Sequence, residues 1–276
     1  MSAADPKTPP VIAFIGGGNM AGALIGGLRK SGHPAASIRV VEPWDEQRAR
    51  LAEQFGVDAK PAPDDSLAGA AMLVWAVKPQ SFGEAAAACA AHASNALHLS
   101  VMAGIRSDAI ARAMRTERVV RSMPNTPALI GQGIAGLYAR PAVTAAERGD
   151  VERLLAPTGQ TLWVEREDDL DAVTALSGSG PAYVFYFIEA MTEAAREMGL
   201  SEAQGRALAM QTFAGATALA QQSSEPPAVL RERVTSKGGT TFAALESMRE
   251  AGVREAIVRA IRAAQRRAAE LGATFG

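Results

Sequence analysis

Residues 11–42 constrain the fold of this chain more than any other stretch. A β-branched run, Val11–Ile15, enters Gly16-Gly17-Gly18-Asn19-Met20-Ala21, a helical stretch follows to about Lys30, and a second apolar run, Ile38–Glu42, ends in an acid. Glycines turn the backbone where a side chain would block it. A helix starting on such a turn aims unpaired N–H groups and the positive end of its dipole at whatever sits there. Strand, turn, helix and strand in that order open a parallel α/β sheet.

The first half of the chain repeats the alternation, with further strands expected at Met72–Val77, Leu97–Val101 and Val119–Ser122. Each is nearly continuously apolar, as strands covered on both faces by helices should be. Two more short strands are expected at Ile134–Tyr138 and Thr161–Glu165. The character changes at the acidic run Glu165–Asp171, and from there only helix is legible. Pro181 suits a first turn, with Ser179 or Gly180 as cap and Gly199 as the stop. Ser201 with Gln204 reads as a capping box that opens a helix to about Gln222. Helices at Pro226–Val234, Thr240–Glu250 and Val253–Leu271 complete the chain. The expected organisation is a disordered leader at 1–10, a sheet domain at 11–166 and an all-α domain at 167–276.

Composition narrows the partners. Lysine and arginine number 28 against 29 acids, which removes the electrostatic case for nucleic acid. Arg254, Arg259, Arg262, Arg266 and Arg267 therefore read as a solvated helix face or a subunit contact. Residues 1–10 lack the apolar core of a signal peptide, and no window reaches the roughly 18 to 20 apolar residues of a membrane span. The single cysteine, Cys89, sits in an alanine-rich run and reads as packing, which fits a reducing cytoplasm. His33, His92 and His98 have no metal-ligand spacing, and no Ser/His/Asp set is credible.

Gly16-x-Gly18-x-x-Ala21, between a strand and a helix, is the dinucleotide fingerprint in its required context. Gly16 makes the tight turn, Gly18 admits the pyrophosphate, and Ala21 with Gly22 and Gly26 lets the helix sit close on the sheet. Glu42 follows where an acid bonds the ribose hydroxyls. These residues point to a nicotinamide or flavin nucleotide. Ala76-Val77-Lys78-Pro79 and Met123-Pro124-Asn125-Thr126-Pro127 end strands on the same sheet edge, where ligands of open parallel sheets bind. Taken singly they are a proline-broken strand exit and a stiff loop. Their shared edge makes them candidate cofactor contacts, with Asn125 for the nicotinamide.

Two glycine-rich segments lie in the helical half. Ser177-Gly178-Ser179-Gly180-Pro181 has more glycine than an N-cap needs, which suggests close approach by a ligand or another backbone. Thr235-Ser236-Lys237-Gly238-Gly239-Thr240-Thr241 is a small-anion cradle with hydroxyls around it. One glycine loop suits a pyrophosphate and the other a carboxylate. A nicotinamide-dependent enzyme acting on a small acid is the expectation.

Together these five motifs resemble the pyrroline-5-carboxylate reductase family, and the resemblance runs through essentially the whole chain after the leader. It implies a Rossmann-type domain followed by an all-α domain that interlocks with a second subunit, giving dimers and in many members decamers. It implies reduction of 1-pyrroline-5-carboxylate to L-proline with NADP(H) or NAD(H). Gly16, Gly18, Asn19, Met20, Glu42, Ala76, Val77, Lys78, Pro79 and Asn125 would hold the nucleotide. The carboxylate would sit on Ser236, Gly238, Gly239, Thr240 and Thr241, largely on backbone N–H groups, with Ser179 and Gly180 as a second wall. The hydroxyl of Thr241 would lie beside the ring nitrogen.

Two positions depart from the family pattern. Lys237 stands where many members have proline, and is expected to point to solvent. Glu42 should repel a 2′-phosphate, with Arg48 a candidate to offset it, so use of both cofactors is expected. A 3-hydroxyacid dehydrogenase would need a lysine early in the helical domain, and none occurs between Lys78 and Lys237. A non-catalytic nucleotide-binding module would leave two glycine-rich segments without a reason.

Overall fold

The computed structural model describes residues 9–93 and 95–275, so nearly all of the expected leader lies outside the described residues. The sheet half comprises β1 (Ile12–Ile15), α1 (Asn19–Lys30), β2 (Ile38–Val41), α2 (Asp45–Phe55), β3 (Ala59–Lys60) and β4 (Met72–Trp75). It continues through α3 (Phe82–Cys89), β5 (Leu97–Ser100), α4 (Ser107–Met114), β6 (Val119–Met123), β7 (Gly133–Ala139), α5 (Ala145–Leu155) and β8 (Gly159–Trp163). Helices follow: α6 (Asp169–Val173), α7 (Gly180–Glu197), α8 (Glu202–Gln222), α9 (Pro227–Arg233), α10 (Thr240–Glu250) and α11 (Val253–Phe275). All seven expected strands form; β3, a two-residue edge strand, is too short to leave a periodic signal.

The strands make one sheet in the order β3-β2-β1-β4-β5-β6-β7-β8. Ile15 of β1 is level with Val41 of β2 on one side and Trp75 of β4 on the other. Strand order reverses at β1, and the next residues out, Gly16, Glu42 and Ala76, meet at that crevice. Alternate residues feed two cores. Ile12, Phe14, Val74 and Leu99 face one layer, and Ala13, Ile15, Leu73 and Trp75 the other. Truncating a ring such as Phe14 to alanine in such a core costs about 3–5 kcal/mol.

Three expectations need correction. The sheet is not wholly parallel, because β7 runs antiparallel to β6. Only residues 124–132 join them, fewer than the dozen or more that a parallel crossover requires. Gly22 and Gly26 do not press α1 onto the sheet. A Cβ on either would meet Phe55 of α2, while Ala21 is the fully buried contact and Gly27 lies against Pro157. Ser179 and Gly180 do not cap a fresh helix either. Residues 174–178 form a π turn that links α6 to α7, with the Ser179 N–H donating to the Thr174 carbonyl at 2.8 Å. Pro181 explains the widening, since it lacks an N–H and its ring would crowd the carbonyl four residues back.

The chain divides into two compact units, one running to Ser179 and including Ala264–Gly276, the other Gly180–Ala263. The acidic run falls in the first of these units. A Cβ on Gly136 of β7 would lie 2.7 Å from Val173 of α6, a measure of how tightly that segment packs. In the second unit the Ser201–Gln204 capping box forms with both reciprocal bonds. A Cβ on Gly205 of α8 would sit 2.6 Å from the Ala195 Cβ of α7, so the absence of a side chain sets that helix crossing. Cys89 is buried, which pushes its thiol up to about 11 and leaves it inert.

Candidate active site

Gly16 carries φ +94°, and a Cβ there would fall 2.6 Å from the Ala76 carbonyl oxygen. Only glycine fits between β1 and the Ala76-Val77 exit of β4. At Gly18 the reverse holds: a Cβ would meet nothing within 4 Å. Gly18 caps α1 with no side chain, and the first turn, which includes Asn19 and Met20, holds no acid. The positive end of α1 is therefore open to an anion, and the residues present fit a dinucleotide pyrophosphate. Lys78 is exposed and caps the short 3-10 turn that Pro79 begins.

Glu42 is only 8% exposed. Its Oε2 accepts the Gly17 N–H at 2.8 Å and its Oε1 accepts the Trp44 N–H at 3.0 Å. Gln47 Nε2 donates to the Gly17 carbonyl at 2.6 Å. The peptide of Gly17 is thus gripped from both ends, and the acid that sequence assigns to the ribose also fastens the turn. Arg48 donates to the carbonyls of Glu42 and Pro43 and pairs with Asp45. It braces the exit of β2.

Asn125 follows β6. Its Oδ1 accepts the Ile134 N–H and its Nδ2 donates to Ser177 Oγ, each at 3.1 Å. The extra glycine of the 177–181 segment answers a protein approach, since a Cβ on Gly178 would lie 2.6 Å from Met123 Cε. Gly180, by contrast, faces open space.

In the second unit, α10 begins at Thr240 with Gly239 as its cap, no side-chain cap bond and no acid in the first turn. Gly238 has φ +75° and turns the chain into the helix. A Cβ on Gly239 would strike Ser236 Oγ at 2.6 Å, so the two glycines let the loop fold tightly on itself. The donors of this first turn are available to a small anion. Thr241 is half-buried and Lys237 exposed.

A buried charge cluster lay hidden in the acidic run. The Glu167 carboxylate accepts from Ser107 N and Oγ, both at 2.6 Å, and from Arg121 at 2.9 Å. It caps α4 and neutralises an arginine that is 5% exposed in mid-strand. Burial pushes the Arg121 guanidinium below its usual value while Glu167 pushes it back. Arg106 pairs with Asp168 at 2.7 Å and Asp171 at 3.2 Å. The only sequence signal was an arginine inside an apolar strand, which needs a buried partner. Among the described residues no cluster of His, Cys, Asp or Glu could hold a metal ion, and no helix is long and apolar enough to cross a membrane.

Residues 11–104 match the family model of the F420-dependent NADP oxidoreductases, and residues 167–271 that of the pyrroline-5-carboxylate reductase dimerisation domain. Fold, glycine turn and matched models define the class: an NAD(P)H-dependent oxidoreductase with a Rossmann-type sheet domain and an all-α domain. A pyrroline-5-carboxylate reductase of Pseudomonas aeruginosa is 45% identical over 97% of this chain and 98% of its own. The chain belongs to the pyrroline-5-carboxylate reductase family. The solved structure of the Coxiella burnetii member agrees with a TM-score of 0.88 at 33% identity, covering 95% of this chain and 98% of that one. That of a Plasmodium falciparum pyrroline carboxylate reductase with NADP bound agrees at 0.85 and 25% identity, over 96% and 99%.

Proposed function

We propose that this chain reduces the cyclic imine of 1-pyrroline-5-carboxylate to L-proline, with two cradles in separate roles. The turn at Gly16–Met20, with Ala76–Pro79, holds the dinucleotide. When bound, the reduced nicotinamide supplies the hydride. The first turn of α10 and the loop Ser236–Thr241 hold the substrate carboxylate. The observation that carries this reading is the open N-terminus of α10, where a glycine cap and the lack of any first-turn acid leave backbone donors for a carboxylate.

The protonated imine is already an electrophile, so the protein has mainly to position the ring and exclude water. Thr241 Oγ1 bonds the ring nitrogen and orients it. A threonine hydroxyl is a poor acid near neutral pH, which favours orientation over proton donation. Ser179 and Gly180 form a second wall. Lys237 stays in solvent, since the backbone supplies the donors.

Both NADPH and NADH serve, with Glu42 weighing against the 2′-phosphate. The helical unit exposes apolar side chains, among them Phe185 at 60%, Tyr186 at 71% and Met198 at 74%. That supports a homo-oligomer, with a dimer through residues 167–276 and a decamer beyond it. The cell compartment that fits is the cytoplasm.

A steady-state assay with pyrroline-5-carboxylate and each reduced cofactor tests the activity. Thr241→Ala should lower kcat/KM by about 10- to 100-fold if the hydroxyl orients the ring, and by more than about 1000-fold if it transfers a proton. Unchanged turnover and KM would remove Thr241 from the mechanism.

A further inference from the structure

The amide of Asn125 can be oriented without ambiguity. The Ile134 N–H can only donate, so the Asn125 oxygen has to face it and the NH2 has to face Ser177; the flipped amide would set donor against donor. Ser177 Oγ therefore accepts from Asn125 and keeps its own proton for another group. This bond joins the exit of β6 to the π turn, 52 positions further along the chain. The turn is wedged by Met123 against Gly178, and the end of α6 just before it by Val173 against Gly136. π turns break helical register and recur at functional sites. Here the turn delivers the chain directly into Ser179 and Gly180, and the Asn125 bond is its polar tie.

We propose that Asn125 is a positioning residue for the imine substrate. Through Ser177 it fixes the π turn, and so holds Ser179 and Gly180 in the geometry that receives the ring. This rests on reading residues 179–180 as a substrate wall. It replaces the expectation of a nicotinamide contact, because the amide oxygen and one N–H are already held by protein. The consequence is selective: loosening the tie weakens the imine and leaves the nucleotide alone.

The test uses N125A, S177A and the double variant in the full-length enzyme. Imine KM and kcat are measured by turnover, and the Kd values of NADPH and NADH by nucleotide fluorescence without substrate. Each single variant should raise the imine KM about three- to tenfold, the worth of one neutral hydrogen bond, with nucleotide Kd within about twofold of wild type. The double variant should be no worse than the poorer single, as for two residues acting through one bond. A raised nucleotide Kd with unchanged imine KM overturns the proposal and makes Asn125 a nicotinamide contact. Additive losses overturn it, as does a wild-type KM in S177A. That variant removes one half-buried hydroxyl, so it decides the matter even where N125A folds poorly. Failure of the wild-type enzyme to turn over the imine would count against the activity, not against the tie.

Discussion

When the pH falls from 7 to 5, His98 becomes a group that the unfolded chain protonates and the native chain does not. It lies in β5 with no exposed surface, and its Nδ1 accepts the Trp75 indole N–H at 3.0 Å. The ring is therefore neutral with its proton on Nε2, and a second proton would set donor against donor. Burial pushes its pKa down to about 4 from an ordinary value of 6.5. A lowered native pKa means that stability is whole above 6.5, is lost as pH falls toward 4, and then levels off. Those two values give a loss of about 2 kcal/mol between pH 7 and pH 5. Urea unfolding at fixed protein concentration, at both pH values, measures it. The control is H98Q, whose amide oxygen still accepts from Trp75 but does not titrate. Wild type should lose about 2 kcal/mol more than H98Q across that window. His33, also pushed down by burial, is present in both proteins and cancels. Equal losses in the two proteins would refute the reasoning.

Two further outcomes follow from the glycine turn. Gly16→Ala places a Cβ 2.6 Å from the Ala76 carbonyl at φ +94°, so it should lower stability by about 2 kcal/mol or more and abolish nucleotide binding; a wild-type nucleotide Kd would contradict this. Glu42→Ser frees the Gly17 and Trp44 N–H groups, so NADH and NADPH should both bind about 10- to 100-fold more weakly. The kcat/KM ratio should meanwhile shift toward NADPH, since the repelling charge is gone. Better NADPH binding with weaker NADH binding would make Glu42 a ribose contact and remove its role in fastening the turn.

What sequence reveals here is whatever depends on one segment at a time. Val11–Ile15 is nearly all apolar because both its faces are covered, and Ser201 with Gln204 signals a helix start because the box closes within four residues. The placement of Gly16 was legible, but not its reason, which is the Ala76 carbonyl sixty positions away. The hidden features are relations between distant segments. Nothing local in Glu42 tells that Gly17 and Trp44 will occupy its oxygens. Pro181 argued for a helix start, yet α6 continues through a π turn that takes up the proline, and the segment lies against Met123, Gly136 and Asn125, none of which is near it in sequence. The direction of β7 follows from a connection length, but only once its neighbour is known.

Arg121 and Glu167 stand 46 positions apart and share one buried charge balance. Loss of Glu167 strands a guanidinium inside the sheet and uncaps α4; loss of Arg121 leaves the carboxylate with only its two Ser107 donors and no counter-charge at hand. Removing one partner of such a pair costs about 3–5 kcal/mol, a large part of what holds an ordinary domain folded. The two positions are therefore one energetic unit. Replacing both with an apolar pair of similar volume should cost far less than losing either one alone.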